Sequence, residues 1–329
     1  MTSARTVGGS SAVAIMRTAR PLLVVGGFAL AACLVRSVGT ERVLQIVRAS
    51  GRLLPIVVLL EATFATCDSL AARVLLGTTG RAVTGSSWIR ATALAYASTV
   101  LLPAGRIAGE AARAAALSRD VGVPMAVAAC SRLQSCALLA NAVVCLACVT
   151  VVGHRGGDVL RVALAVNVIA CSALAAVFLG ALRSKRLTAW LGERFISIAG
   201  MEAPTPLAEI GVARTFAAQS LCVLGRAAQT VQYGVVLLAV GGIVTPTSAL
   251  TAQGIHLVGA AVGDVIPGQL GAMEGTYRAF AGSLGLGADL ASALSMPLIV
   301  RIAQLGMSIV CLSVCAAGVT QRTRRAEPS

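Results

Sequence analysis

The strongest constraint in this sequence is charge, proline and glycine placed inside apolar runs of membrane grade. From Leu101 to Leu117 the chain reads LLPAGRIAGEAARAAAL. Arg106, Glu110 and Arg113 stand there beside Pro103, Gly105 and Gly109. The stretch from Asp264 to Leu284, DVIPGQLGAMEGTYRAFAGSL, repeats the idea. Glu110 lies seven residues after Pro103, and Glu274 lies seven after Pro267. Gly268 and Gly271 follow Pro267 as Gly105 and Gly109 follow Pro103. Each stretch leads through a glycine-marked turn into an apolar helix bearing one arginine, Arg132 or Arg301. Paired broken, charged segments in the two halves of an apolar chain mark a transporter-like site near mid-membrane.

Composition agrees. The chain is 57% apolar and 12% charged, against about 45–50% and about 25% in soluble domains. Glycine, at 34 residues, suits close helix packing in lipid. The net charge of +14 reads as topology, with Lys and Arg filling cytoplasmic loops and attracting anionic headgroups. A nucleic-acid partner is not expected, because aromatics are 3% and the basic residues are scattered between apolar spans. The ten cysteines fall mostly in apolar runs, where cysteine packs as a small apolar group. No metal site, disulfide framework or cofactor is expected.

Residues 1–19 form a basic N-terminal segment expected in the cytoplasm. Pro21 to Val35 reads as a retained first helix, and Arg36 to Arg52 as a basic loop or interfacial helix. The span from Leu53 to Leu76 holds Glu61 and Asp68, seven residues apart and so on one helix face. Asp68 and Arg73 are read either as buried groups or as groups reaching the interface from the helix end. Thr78 to Arg90 reads as a polar connection. Ala91 to Leu102 is short for a crossing, which needs about 20 residues, and predicts a re-entrant or unwinding segment at Pro103. Val123 to Val152, Val162 to Leu182, Val212 to Val240 and Leu290 to Val319 read as long spans, the last interrupted by Pro297, Arg301 and Gln304. Gln219, Arg226 and Tyr233 fall at steps of seven, giving one polar face. Ser248 to Val262 is short again and leads into the second broken stretch. The basic ends and the basic loop at Arg183 place both termini in the cytoplasm.

Arg106, Glu110 and Arg113 form an i, i+4 and i, i+3 ladder if helical. At low dielectric such charges must pair or face water, and the planar arginine fork suits phosphate. Arg106, Arg113, Arg132 and Arg301 around Glu110 and Glu274 would make a cationic cavity with built-in counter-ions. A phosphate-bearing lipid headgroup is its natural guest. The alternative is a static arginine–glutamate network tying two broken helices together. His256 reads as a polar helix contact. Glu110 and Glu274 could serve as an acid/base pair, but no nucleophile accompanies them, so no catalytic residue is assigned.

The string P-x-G-R-x-x-G-E-x-x-R-x-x-x-L, a glycine turn and an arginine-bearing helix resemble the flippase-like membrane family. That family is the transmembrane region of lysylphosphatidylglycerol synthases and its stand-alone relatives. The later P-G-x-L-G-x-x-E-G, followed by L-G-L and the second arginine helix, resembles its second signature, and the likeness spans roughly residues 20–318. The resemblance implies a bacterial inner-membrane protein that moves or handles lipids. Some relatives translocate aminoacylated phospholipids, and others are associated with hopanoid or glycolipid pathways. It carries over Pro103, Gly105, Arg106, Gly109, Glu110, Arg113 and Arg132, then Pro267, Gly268, Gly271, Glu274 and Arg301, with the prolines and glycines expected to supply the backbone breaks. The soluble aminoacyl-transfer domain of the fused synthases has no counterpart in this sequence, so lipid aminoacylation is not expected. Where the family often has an acid soon after the helix arginine, Arg132 is followed by Leu133, Gln134 and Ser135.

The expectation is an all-α polytopic membrane protein of about six to eight crossings, with two broken or re-entrant segments in pseudo-repeated halves. Residues 1–19 are an N-terminal segment, 20–318 the transmembrane domain and 319–329 a basic tail. Its expected partners are membrane lipids, anionic phospholipids above all, and lipid-biosynthesis proteins. The expected function is movement of an anionic lipid between leaflets. The alternatives are an intramembrane lipid-modifying enzyme and a non-transporting partner of a lipid pathway.

Overall fold

The structure is a computed structural model and describes residue 36 and residues 40–102, 104–152, 157–181, 210–264, 266, 269–286 and 289–326. Among these residues the chain is all helix and turn. An amphipathic α1 (Thr40–Ala49) precedes α2 (Leu54–Leu76), which stops at Gly77 with φ 59°. Thr84 caps α3 (Gly85–Leu101) by accepting from Ser87 N–H at 3.3 Å. After the break, α4 (Gly105–Val121) and α5 (Val123–Val152) are divided only by Gly122, φ 80°. Then come α6 (Asp158–Ala181), α7 (Val212–Ala239), α8 (Pro246–Gly263), the short α9 (Ala272–Ala279) and α10 (Leu290–Ala326).

Among the described residues, five helices are long and apolar enough to cross a membrane: α2, α5, α6, α7 and residues 290–317 of α10. The protein is a multi-pass all-α membrane protein. Its outer surface differs from that of a soluble bundle, with apolar side chains exposed around a mostly apolar interior that also holds a polar layer. On α7, Leu224, Val231 and Leu238 are exposed, while Arg226, Gln229, Gln232 and Tyr233 are buried. On α6, Val159, Val162, Val166, Ile169 and Val177 form an exposed apolar stripe. Apolar side chains outside and polar ones inside are what a hydrocarbon solvent selects. Helices α2 and α7 pack along each other, α5 leans on both, and α3–α4 and α8–α9 form two bent pairs beside them.

The short segments behave as expected at their breaks. Helix α3 ends at Leu102, which is extended, and Ala104 and Gly105 are left-handed (φ 63° and 39°) before α4 begins. Gly271, φ 79°, opens α9. Three sequence expectations need correction. First, α3 begins at Gly85 rather than Ala91, because the Thr84 cap recruits Gly85–Ser86–Ser87 into its first turn. Second, α10 is not interrupted at Pro297 and continues into the expected tail. Met296, Ile299 and Val300 are packed in the core around the proline, and membrane helices tolerate proline within such packing. Third, Gly109 is not a backbone break, since it lies within α4. A Cβ there would sit 1.9 Å from Thr99 Oγ1 and 2.7 Å from the Ala95 carbonyl, so its role is the close approach of α3 and α4. Pro103, Pro267 and Gly268, the N-terminal segment 1–19, the first helix at 21–35 and the basic loop after Arg183 lie outside the described residues.

Gly109→Ala should therefore force α3 and α4 apart and destabilise the fold by about 1–3 kcal/mol, as overpacking does. Thermal unfolding in detergent checks this against Gly275→Ala, a position with nothing within 4 Å of an added Cβ. Equal unfolding temperatures for both variants would contradict the close-approach assignment.

Candidate functional site: a buried polar layer

Helix α4 presents Arg106, Glu110 and Arg113 on one face, and that face meets Asp68 of α2. Asp68 takes one arginine on each oxygen. Arg106 Nη2 donates to Oδ1, and Arg113 Nη2 donates to Oδ2 at 2.7 Å. Glu110 lies 3.5 Å from Arg113 Nε and 3.9 Å from Arg106 Nη2, as the ladder spacing predicts. Asp68, Glu110 and Arg113 are all buried. The interfacial reading of Asp68 is thus excluded, and Asp68 joins the site although the sequence motif does not contain it.

Two turns back along α2, Glu61 is 2% exposed and has no cation within ion-pair range among the described residues. Neutral donors hold it instead: Tyr96 Oη and Gln232 Nε2, both at 2.9 Å, and Gln304 Nε2 at 3.5 Å. Glu61 therefore ties α2 to α3, α7 and α10. Between Glu61 and Asp68 stands Arg226 of α7, also buried. It donates to Gln229 Oε1 on its own helix and its guanidinium lies 5.0 Å over the Phe64 ring. Among the described residues no carboxylate comes within ion-pair range of Arg226. Arg226, Arg106, Asp68 and Phe64 line a cavity of about 10 Å³, room for about one water.

In the second half, Glu274 is fully buried. Its Oε2 accepts from Gly271 N–H at 2.7 Å, and its Oε1 accepts from Arg301 Nη1 at 2.5 Å. The two glutamates aligned by the repeat thus have different local duties. Glu110 is an interior member of a helix ladder, whereas Glu274 caps its own helix and pins α9 to α10. The two broken stretches touch directly: Ala104 N–H donates to the Asp264 carbonyl at 3.0 Å. Arg132 is not brought into this layer of pairs. Among the described residues it makes no ion pair, and its Nε is buried without a hydrogen-bond partner. His256 lies against Tyr233, with ring centres 4.7 Å apart and planes tilted by 36°, and its Nδ1 is buried without a hydrogen-bond partner among the described residues.

The residues that sequence motifs miss are Glu61, Asp68, Arg226, Tyr96, Gln232 and Gln304. Their signal is periodic rather than local: Glu61 and Asp68 step by seven along α2, and Gln219, Arg226 and Tyr233 do so along α7. Polar groups that recur on one face of a lipid-embedded helix face protein.

This arrangement sits in a chain whose residues 13–311 match the family of the lysylphosphatidylglycerol synthase transmembrane region. The chain belongs to that family. The membership establishes a lipid-related membrane protein and covers both broken stretches. No curated protein and no solved structure matches the chain.

Asp68→Asn should leave Arg106 and Arg113 short of a buried counter-charge and destabilise the protein by about 3–5 kcal/mol. The double change Asp68→Asn/Arg113→Gln should be less destabilising than the sum of the single changes, because the two groups share one interaction. Additive unfolding shifts in detergent would show that the pair is not coupled.

Proposed function

We propose that this protein binds the anionic headgroup of a membrane phospholipid in its buried polar layer and moves the lipid between leaflets, chemically unchanged. The observation that carries this reading is Arg226, a buried guanidinium with no carboxylate in ion-pair range among the described residues, beside the Asp68–Arg106 pair. A buried charge held mainly by a ring face and a neutral amide is one for which an incoming anion supplies what the protein withholds. Carboxylate and phosphate both fit the arginine fork. Asp68 is then a resident stand-in for phosphate on Arg106 and Arg113. A headgroup enters as α2, α4, α5 and α7 part. Its phosphate replaces Asp68 on Arg106 and engages Arg226, while Glu110 continues to hold Arg113. The bacterial inner membrane is the setting this reading calls for, with the lipid itself as the principal partner.

Arg226→Gln should slow the flipping of a fluorescent anionic phospholipid in liposomes by about tenfold or more, the equivalent of about 1.4 kcal/mol of lost stabilisation. Arg119→Gln, at an exposed cation of α4, should flip like the wild type. Unchanged flipping by Arg226→Gln would overturn the reading, and so would a chemically altered lipid in mass spectra of the same vesicles.

A further inference from the structure

We propose that Arg73, Arg81 and Arg214 form a second anion site, at the mouth of the helix bundle, for the phosphoryl group of a lipid headgroup or of free phosphate. The three arginines come from the last turn of α2, the turn that follows it and the first turn of α7. They surround an open basin of about 360 Å³, within the size range of small-ligand sites. Among the described residues no carboxylate lies in ion-pair range of any of them.

Two details separate this basin from an ordinary basic loop. The first is that two of its three cations are held in place. The Arg73 guanidinium lies 5.7 Å over the Trp88 ring. Arg214 lies across Gly77, where an added Cβ would stand 2.2 Å from its Nη1, at a backbone φ of +59°. Gly77 thus gives the arginine its seat against the backbone. The second is the position of Arg214. A cation in the last turn of a helix, such as Arg73, is favoured by the helix dipole, but one in the first turn opposes it. Arg214 and the free N–H groups opening α7 present positive charge together, and an anion in the basin satisfies both. Five residues of α2 separate Arg73 from Asp68, about 7.5 Å of helix rise. The same five steps turn the helix by about 140°, so the basin lies on a different face of α2 from the buried pair and is a separate site.

Trp88 is a local reporter. The chain has two tryptophans, and Trp190→Phe leaves Trp88 alone. The full-length Trp190→Phe protein in detergent is titrated with short-chain phosphatidylglycerol and, separately, with inorganic phosphate, and Trp88 emission is followed. A saturable change that weakens with added salt is expected. Arg81→Gln and Arg214→Gln should each raise the apparent Kd about tenfold, near 1.4 kcal/mol, and Arg119→Gln should not. Gly77→Ala, which keeps every charge but displaces Arg214, should also weaken binding. Saturation by the lipid alone assigns the site to a headgroup, whereas equal saturation by phosphate assigns it to the free anion. No saturable change with either ligand, or unchanged affinity in Arg81→Gln and Arg214→Gln, overturns the proposal. Because emission reports occupancy at Trp88, the result does not depend on whether lipid flips at Arg226.

Discussion

A carboxylate shared by two arginines inside the bundle is the interaction on which the rest depends. Asp68 joins α2 to α4 through Arg106 and Arg113, and Glu110 braces both cations from their own helix. Between apolar helices in lipid there is little hydrophobic drive for association, so packing and polar contacts must supply it. A bidentate acid at the crossing of two helices does so with direction. It also explains why α4, which carries several charges, packs against α2.

The internal repeat is real in spacing but not in duty. Both broken stretches reverse direction at left-handed residues, Ala104 and Gly105 in one and Gln269 and Gly271 in the other, and they join through the Ala104–Asp264 backbone contact. Past that point they diverge. The first half builds a charge cluster facing α2, whereas the second half locks α9 onto α10 through Glu274 and Arg301. On the function proposed above, the first half is the one that exchanges partners and the second the one that stays put.

Much of this was legible in the sequence because lipid imposes simple rules. Apolar length located α2, α5, α6 and α7 to within a few residues, and the Arg106–Glu110–Arg113 ladder followed from helical spacing alone. What escaped depended on tertiary contact. Thr84 looked like a loop residue until its hydroxyl met the Ser87 amide. Gly109 looked like a hinge, because nothing in the linear chain reveals that Thr99 occupies the space of its missing Cβ. Asp68 was ambiguous because depth depends on where a helix sits, and only the two arginines of α4 resolve it. Arg132 matches the motif and yet stands outside the ion pairs, so a shared signature did not guarantee a shared contact.

Helix α10 has a mechanical consequence. Its 37 residues make a rod about 55 Å long at 1.5 Å per residue, while the hydrocarbon slab is about 30 Å thick. A rod of that length, anchored about a third of the way along by Arg301 and Gln304, is a lever with unequal arms. The shorter arm lies in the packed core and the other is about twice as long, so a small tilt at the fulcrum becomes a wider swing at the far tip.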